Sequence, residues 1–308
     1  MLFCYNNNGD DMKKILSLIF IALIAYFGFT YRNDITNFIL TEFINEKLII
    51  TYENNTYTKS NTKNYQMIDN FYPKNKQDII NLFFTAINGG WNNIVFFCSD
   101  DYDTCLEDIK SLVNEDQEIN KINNYVHPYN SYEKIYLTYN SLGKINIDIE
   151  RLYNDADIEL LNNKVALISD EIINNEMSKK EQIRAVHDYI INNTVYDTLS
   201  ADEVENNKEL TNKEVHKATG ALLDGLAICG GYSDAMAIFL NNLNIENYKL
   251  NSDKHVWNYV NLNDSWLHLD LTWDDPVTNT NENVLIYSFF LITEEELKIL
   301  DPKDHDYY

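Results

Sequence analysis

The chain is 308 residues long, enough to bury a sizeable core and to hold two domains. Its 24 Lys and Arg stand against 48 Asp and Glu, a formal net charge of −24, which excludes nucleic acid as a partner held by simple phosphate attraction. Acidic runs such as Ser99-Asp100-Asp101-Tyr102-Asp103 read as solvated surface rather than as a metal site.

Residues 15–31 form a nearly unbroken apolar run, preceded by Lys13-Lys14 and followed by Arg32-Asn33-Asp34. The run sits at the short limit of a membrane span, which needs about 20 apolar residues. A basic flank ahead of it also fits a secretory signal peptide, but no small-residue cleavage site follows, and no cysteine closes the run as a lipoprotein would require. The expectation is a membrane anchor or signal peptide over 12–31. An uncleaved single-pass anchor, with Lys13 and Lys14 inside and the rest of the chain outside, is preferred to secretion after cleavage. Met12 reads as a truer start than Met1, which makes 1–11 an upstream overhang and Cys4 incidental. Residues 32–75, rich in Asn, Thr, Tyr and Lys with little periodicity, read as a stalk or lead-in.

From residue 76 onward helix-like and strand-like segments alternate: helix 78–88, strand 93–97, helix 104–113, then strands 134–139 and 145–149. They predict a small α/β domain over 76–154. Cys98 and Cys105 lack the further Cys or His that a zinc site needs. In an exported protein they would be candidates for a disulfide; otherwise they are two ordinary thiols. Tyr129, Tyr132, Tyr136 and Tyr139 would suit a cell-wall polymer, on composition alone. His127, His187, His216 and His305 have no ligand-spaced neighbours and read as surface or structural, so neither a metal nor a cofactor is expected.

Helices over 155–175 and 178–193 lead into a second domain, 155–308, and Ser178 with Glu181 has the spacing of a capping box. An apolar stretch, 221–228, is followed by Cys229, then by Gly230-Gly231 and a periodic segment over 232–240. Cys229 would therefore open a helix, where unsatisfied N–H groups and the positive dipole end favour a thiolate. The two glycines would let a substrate backbone come close. A buried, inert cysteine ahead of a core helix is the plain alternative.

Residues 254–262 and 265–272 read as two strands joined by Asn263-Asp264, a two-residue turn without the favoured glycine. Pairing Leu262 with Ser265 sets His255 opposite Thr272 and Trp257 opposite Asp270, so His255 and Asp270 become diagonal neighbours on one face, roughly 7 Å apart at the backbone. The apolar pattern supports that register, because Val256, Val260, Leu262, Leu267, Leu269 and Leu271 all fall on the other face. A one-residue slip would scatter them across both sides. Trp257, Tyr259, Trp266 and His268 would frame the pair. Asp274-Asp275 just beyond has no EF-hand spacing, which argues against a calcium site.

These residues carry a resemblance. Cys229-Gly230-Gly231-Tyr232, His255-Val256-Trp257-Asn258 and Asp270-Leu271-Thr272-Trp273-Asp274-Asp275-Pro276, in that order, resemble the three motifs of the transglutaminase-like superfamily of papain-like cysteine enzymes. The lead-in helix through Ile183 to Ile190, with Tyr196-Asp197 after it, is similar too. One departure is Ala227, where the family often has a glycine two residues before the cysteine. The resemblance implies an α+β fold: a papain-like transglutaminase core, its Cys-bearing helix packed on an antiparallel sheet carrying His and Asp, after the small α/β domain. It implies Cys229 as nucleophile, His255 as base then acid, and Asp270 as orienter. Trp257, Tyr232 and Gly230 are tentative substrate-binding residues.

Superfamily members cross-link Gln to Lys, hydrolyse peptides or deglycosylate, and some are inactive, so function has to be argued from the site. The expectation is an extracytoplasmic cysteine-dependent amide acyl-transfer enzyme, a peptidase or protein hydrolase acting on a peptide or protein substrate. Hydrolysis is preferred because nothing visible in the sequence supplies an amine tunnel that excludes water. A cross-linking transglutaminase is the alternative, and a non-catalytic surface binding module on the same fold is the rival from another class.

Overall fold

The computed structural model describes residues 8–32, 65–114, 117–140, 143–277, 284–301 and 305–307. Most of the expected overhang 1–11 and stalk 32–75 thus lies outside the described residues. Helix α1 (Asn8–Thr30) coincides with the apolar run, and its described side chains, from Leu16 onward, are all exposed. Among the described residues no helix is long and apolar enough to cross a membrane.

Asn75 caps helix α2 (Lys76–Asn88) by accepting from the Asp78 N–H. Strand β1 (Asn93–Phe97) follows, then α3 (Cys105–Asn114), α4 (Gln117–Ile122) and the hairpin β2 (Tyr132–Tyr139) to β3 (Lys144–Arg151). The sheet order is β1-β3-β2, antiparallel throughout. On β3 the alternating Ile145, Ile147 and Ile149 share one buried cluster with Ile79, Leu82 and Phe83 of α2 and Ile109 of α3. Cys98 and Cys105 form a disulfide that ties the end of β1 to the start of α3. Tyr65 and Phe71, in the segment expected to be a stalk, are buried in the same cluster. They show no period because the chain there is not helical or sheeted: it is held by α2 side chains, the Gln66 and Ile68 N–H groups donating to Asn81 Oδ1 and Thr85 Oγ1. The aromatic surface expected from composition is not continuous. Tyr129 and Tyr132 are buried, and of the four tyrosines only Tyr136 and Tyr139 are exposed.

Two capping boxes, at Asn154/Asp157 and Ser178/Glu181, start α5 (Asp155–Ile172) and α6 (Lys179–Asn193). A short parallel pair, β4 (Val195–Tyr196) with β5 (Leu226–Ala227), and α7 (Thr198–Glu205) lead to α8 (Cys229–Asn242). The second sheet runs β6 (Asn247–Asn251), β7 (Val256–Leu262), β8 (Ser265–Leu269) and β9 (Phe290–Ile292), all antiparallel neighbours. Helix α9 (Glu294–Leu300) closes the chain's last regular element. The β7–β8 hairpin has the expected register, Leu262 opposite Ser265, and both turn residues adopt positive φ (53° and 63°), as a type I′ turn demands. Val260, Leu267 and Leu269 face a core shared with α6 and α8, whereas Trp257, Tyr259, Trp266 and His268 face an aromatic layer that includes Tyr248 and Tyr307. Burying a residue the size of Leu269 stabilises the sheet by about 1.5–3 kcal/mol, so the register that hides this set is strongly preferred.

Candidate active site

Helix α8 starts at Cys229, directly after the extended Ile228, which offers no capping side chain. The first N–H groups of such a helix lie at the end that carries the thiol; here that of Gly231 turns to Ile228 O (2.9 Å). The glycines after Cys229 admit the close approach of the protein's own backbone. A Cβ on Gly231 would lie 2.6 Å from Val215 O, and one on Gly230 would lie 3.0 Å from His216 O. Residues 213–216 press against the helix start, and Ile228 N–H donates to Val215 O (2.8 Å). Cys229 is partly exposed and is the free cysteine among the described residues.

His255 immediately precedes β7 and Asp270 immediately follows β8. The ladder ends at Asn258–Leu269, and Asp270 turns its N–H to Phe289 O instead (3.1 Å). Its carboxylate is buried and fully engaged. Oδ1 accepts from the Thr272 and Trp273 N–H groups (2.9 and 3.2 Å), while Oδ2 lies 2.5 Å from His255 Nε2. With Nε2 so occupied, Nδ1 is the ring nitrogen left for the Cys229 thiol, which shares the cleft wall with His255. Burial alone would discourage charge on His255, but the Asp270 carboxylate, its hydrogen bond and Cys229 outweigh it, and the pKa is pushed up to about 10. Burial likewise works against the Asp270 carboxylate, yet the two histidines beside it hold its carboxyl well below the usual range.

The second of those histidines is His305, which sequence reasoning left as surface or structural. It is buried, with Nε2 2.8 Å from Asp270 Oδ2 and Nδ1 2.9 Å from Asp301 Oδ2. The one sequence signal was the Asp301/His305 spacing of four. His255, Asp270 and His305 place one donor atom each within 4.8 Å of the others, a spacing that also suits a metal ion. Here both imidazole–carboxylate distances are those of direct hydrogen bonds, which an ion would have to replace.

A cleft of about 600 Å³ opens above Cys229 and His255, lined among others by Tyr196, Val204, Ile228, Ser252 and Trp273, with Glu205, Asp253, Lys254 and Asp306 also on its walls. None of the tentative substrate-binding residues reaches it. Trp257 is 1% exposed and forms the wall behind His255, its ring stacked at 5.7 Å and its indole N–H given to His268 Nδ1. Tyr232 is equally buried, and its hydroxyl donates to Asp275 Oδ2 (2.6 Å). Gly230 is taken up by the contact with His216. Asp274 meets His187 Nε2 of α6 (3.2 Å) and accepts from Phe289 N–H. Asp274 and Asp275 thus bind the loop after Asp270 to α6 and α8.

Residues 167–271, the stretch that carries Cys229, His255 and Asp270, match the transglutaminase-like superfamily. The crystal structure of a TGase is similar at 14% identity, covering 49% of this chain and 48% of that one, with a TM-score of 0.37. A candidate cysteine protease from Cytophaga hutchinsonii is similar at 14% identity over 50% of this chain and 65% of its own, with a TM-score of 0.28. The chain therefore spans about half the length of the first structure and less than two thirds of the second. No curated protein matches the chain.

Proposed function

We propose that the protein is a cysteine-dependent hydrolase of peptide or protein amides, held outside the cell. The observation that carries this reading is the meeting of Cys229 with the hydrogen-bonded pair His255–Asp270 at the floor of a solvent-open cleft. In the reaction, the proton given up by Cys229 already resides on His255 as the sulfur bonds to the carbonyl carbon and the C=O electron pair moves to oxygen, and N–H groups at the start of α8 face the oxyanion. His255 then gives that proton to the nitrogen as the C–N bond breaks, leaving a thioester. Water attacks the thioester with its proton passing to His255, and the acid leaves as the thiol is restored. An open cleft admits water to the thioester, which favours hydrolysis over transfer to an amine.

The place outside the cell is supported by the exposed apolar surface of α1 after Lys13-Lys14, and by the Cys98–Cys105 disulfide, a bond that persists in oxidising compartments. Native protein should fractionate with membranes and be cut by protease added to intact cells; recovery in the cytosol would remove this part of the reading. The reaction is tested by incubating a peptide library with and without methylamine. Free carboxylate products that vanish in Cys229→Ala are expected. Methylamide products in preference to acids would make the protein a transglutaminase, and turnover by Cys229→Ala would exclude the mechanism.

A further inference from the structure

We infer that His305 is a positioning residue of this centre: it holds Asp270 Oδ2 where His255 needs it, and so makes the C-terminal segment part of the catalytic machinery. The inference rests on the proposed function, because it assigns work to a histidine that acts through Asp270 and His255 rather than on the substrate.

The geometry is specific. Asp270 Oδ2 receives two imidazoles, His255 at 2.5 Å and His305 at 2.8 Å, while Oδ1 is held by two backbone N–H groups. With only the backbone bonds on one oxygen, the carboxylate could rotate about its Cβ–Cγ bond and carry Oδ2 away from His255. The bond to His305 removes that freedom. The His305 ring is itself wedged: stacked on Phe289 (5.2 Å, 14°), edge-on to Trp257 (4.6 Å) and close to Trp273 (5.3 Å). Its other nitrogen meets Asp301, whose own N–H continues α9 through Leu297 O. Helix α9 is in turn fixed to the sheet, since Leu297 is buried and Glu294 binds His268 of β8 and Tyr307 beyond His305. A purely structural histidine could satisfy its two nitrogens anywhere in this layer; this one spends Nε2 on the same oxygen atom that orients the base.

Iodoacetamide alkylation of Cys229 reads the effect without a known substrate. His305→Phe keeps the ring packing and loses both hydrogen bonds, and should slow alkylation near neutral pH by up to about 100-fold, the scale of a misplaced catalytic group. His305→Gln, which keeps a donor near the Nε2 position, should retain most of the rate. His305→Ala leaves a ring-sized gap, so added imidazole should restore its alkylation but not that of His305→Phe, whose gap is filled. Fast alkylation in the wild type with an equal rate in a folded His305→Phe would overturn the inference alone. Slow alkylation already in the wild type would instead overturn the proposed function on which it stands. If His305→Phe does not fold, His305→Gln and imidazole-treated His305→Ala decide: a Gln rate as low as that of Ala, with no imidazole response, overturns the inference.

Discussion

Replacing Asp270 by Asn changes one atom and should cost nearly all the activity. The carboxylate is the chief reason that His255, whose ordinary pKa is 6.5, is pushed up to about 10. The net rise, 10 − 6.5, corresponds at 1.36 kcal/mol per pH unit to about 5 kcal/mol, which Asp270 and Cys229 supply together against the opposing burial. In Asp270→Asn only Cys229 is left to oppose the burial that discourages charge on the ring, and the pKa falls. The tautomer also inverts. An amide N–H aimed at Nε2 forces that nitrogen to accept, which places the ring proton on Nδ1, facing the sulfur that is to lose its own. The corresponding change in other triads lowers kcat about 10⁴-fold, or about 5 kcal/mol. Asn Oδ1 still accepts from Thr272 and Trp273, so the loop should survive and circular dichroism should be unchanged. KM should stay near the wild-type value, because Asp270 does not line the cleft. A folded Asp270→Asn protein keeping more than a tenth of the amide turnover would refute the reasoning.

Stability should depend on pH through His255. Its folded pKa lies above the unfolded value, so its contribution is complete below about pH 6.5 and is lost as pH rises through about 10. The melting temperature should accordingly fall over that range, and His255→Gln should flatten the fall; parallel curves would contradict the charged pair. Tyr232→Phe leaves the buried Asp275 without its hydroxyl donor and should destabilise by about 1–3 kcal/mol in denaturant titration while Cys229 stays reactive. Unchanged stability with lost turnover would return Tyr232 to the substrate. Opening the Cys98–Cys105 loop with Ser at both positions should lower stability by roughly 2–3 kcal/mol, and reductant should do the same to the wild type; insensitivity to reductant would mean the bond does not form in the native protein.

The β7–β8 register and the meeting of His255 with Asp270 were legible in the sequence because side chains alternate with a period of two, and only one pairing hides Val260, Leu267 and Leu269 together. The start of α8 at Cys229 was legible from the break between the apolar 221–228 and the periodic segment after it. The roles of Gly230 and Gly231 were not, since a glycine signals a close approach without saying what approaches, and here it is the 213–216 turn. Trp257 and Tyr232 stand inside the motifs, where a place at the substrate and a packing role read alike. What sequence could not show is that the C-terminal segment covers one face of the sheet and seals Trp257 behind it. His305 was missed for the same reason, being 35 residues from Asp270 with no local pattern that joins them.

The central claim, a nucleophilic thiol made reactive by His255, is tested most directly by peptide mapping after brief iodoacetamide treatment from acid to mildly alkaline pH. An ordinary thiol, of pKa about 8.5, is mostly protonated near neutrality and reacts slowly there. The account predicts that Cys229 labels faster than free cysteine at pH 6–7 and that His255→Ala removes the advantage. Labelling of Cys229 at the rate of free cysteine, unchanged by loss of His255, would contradict it.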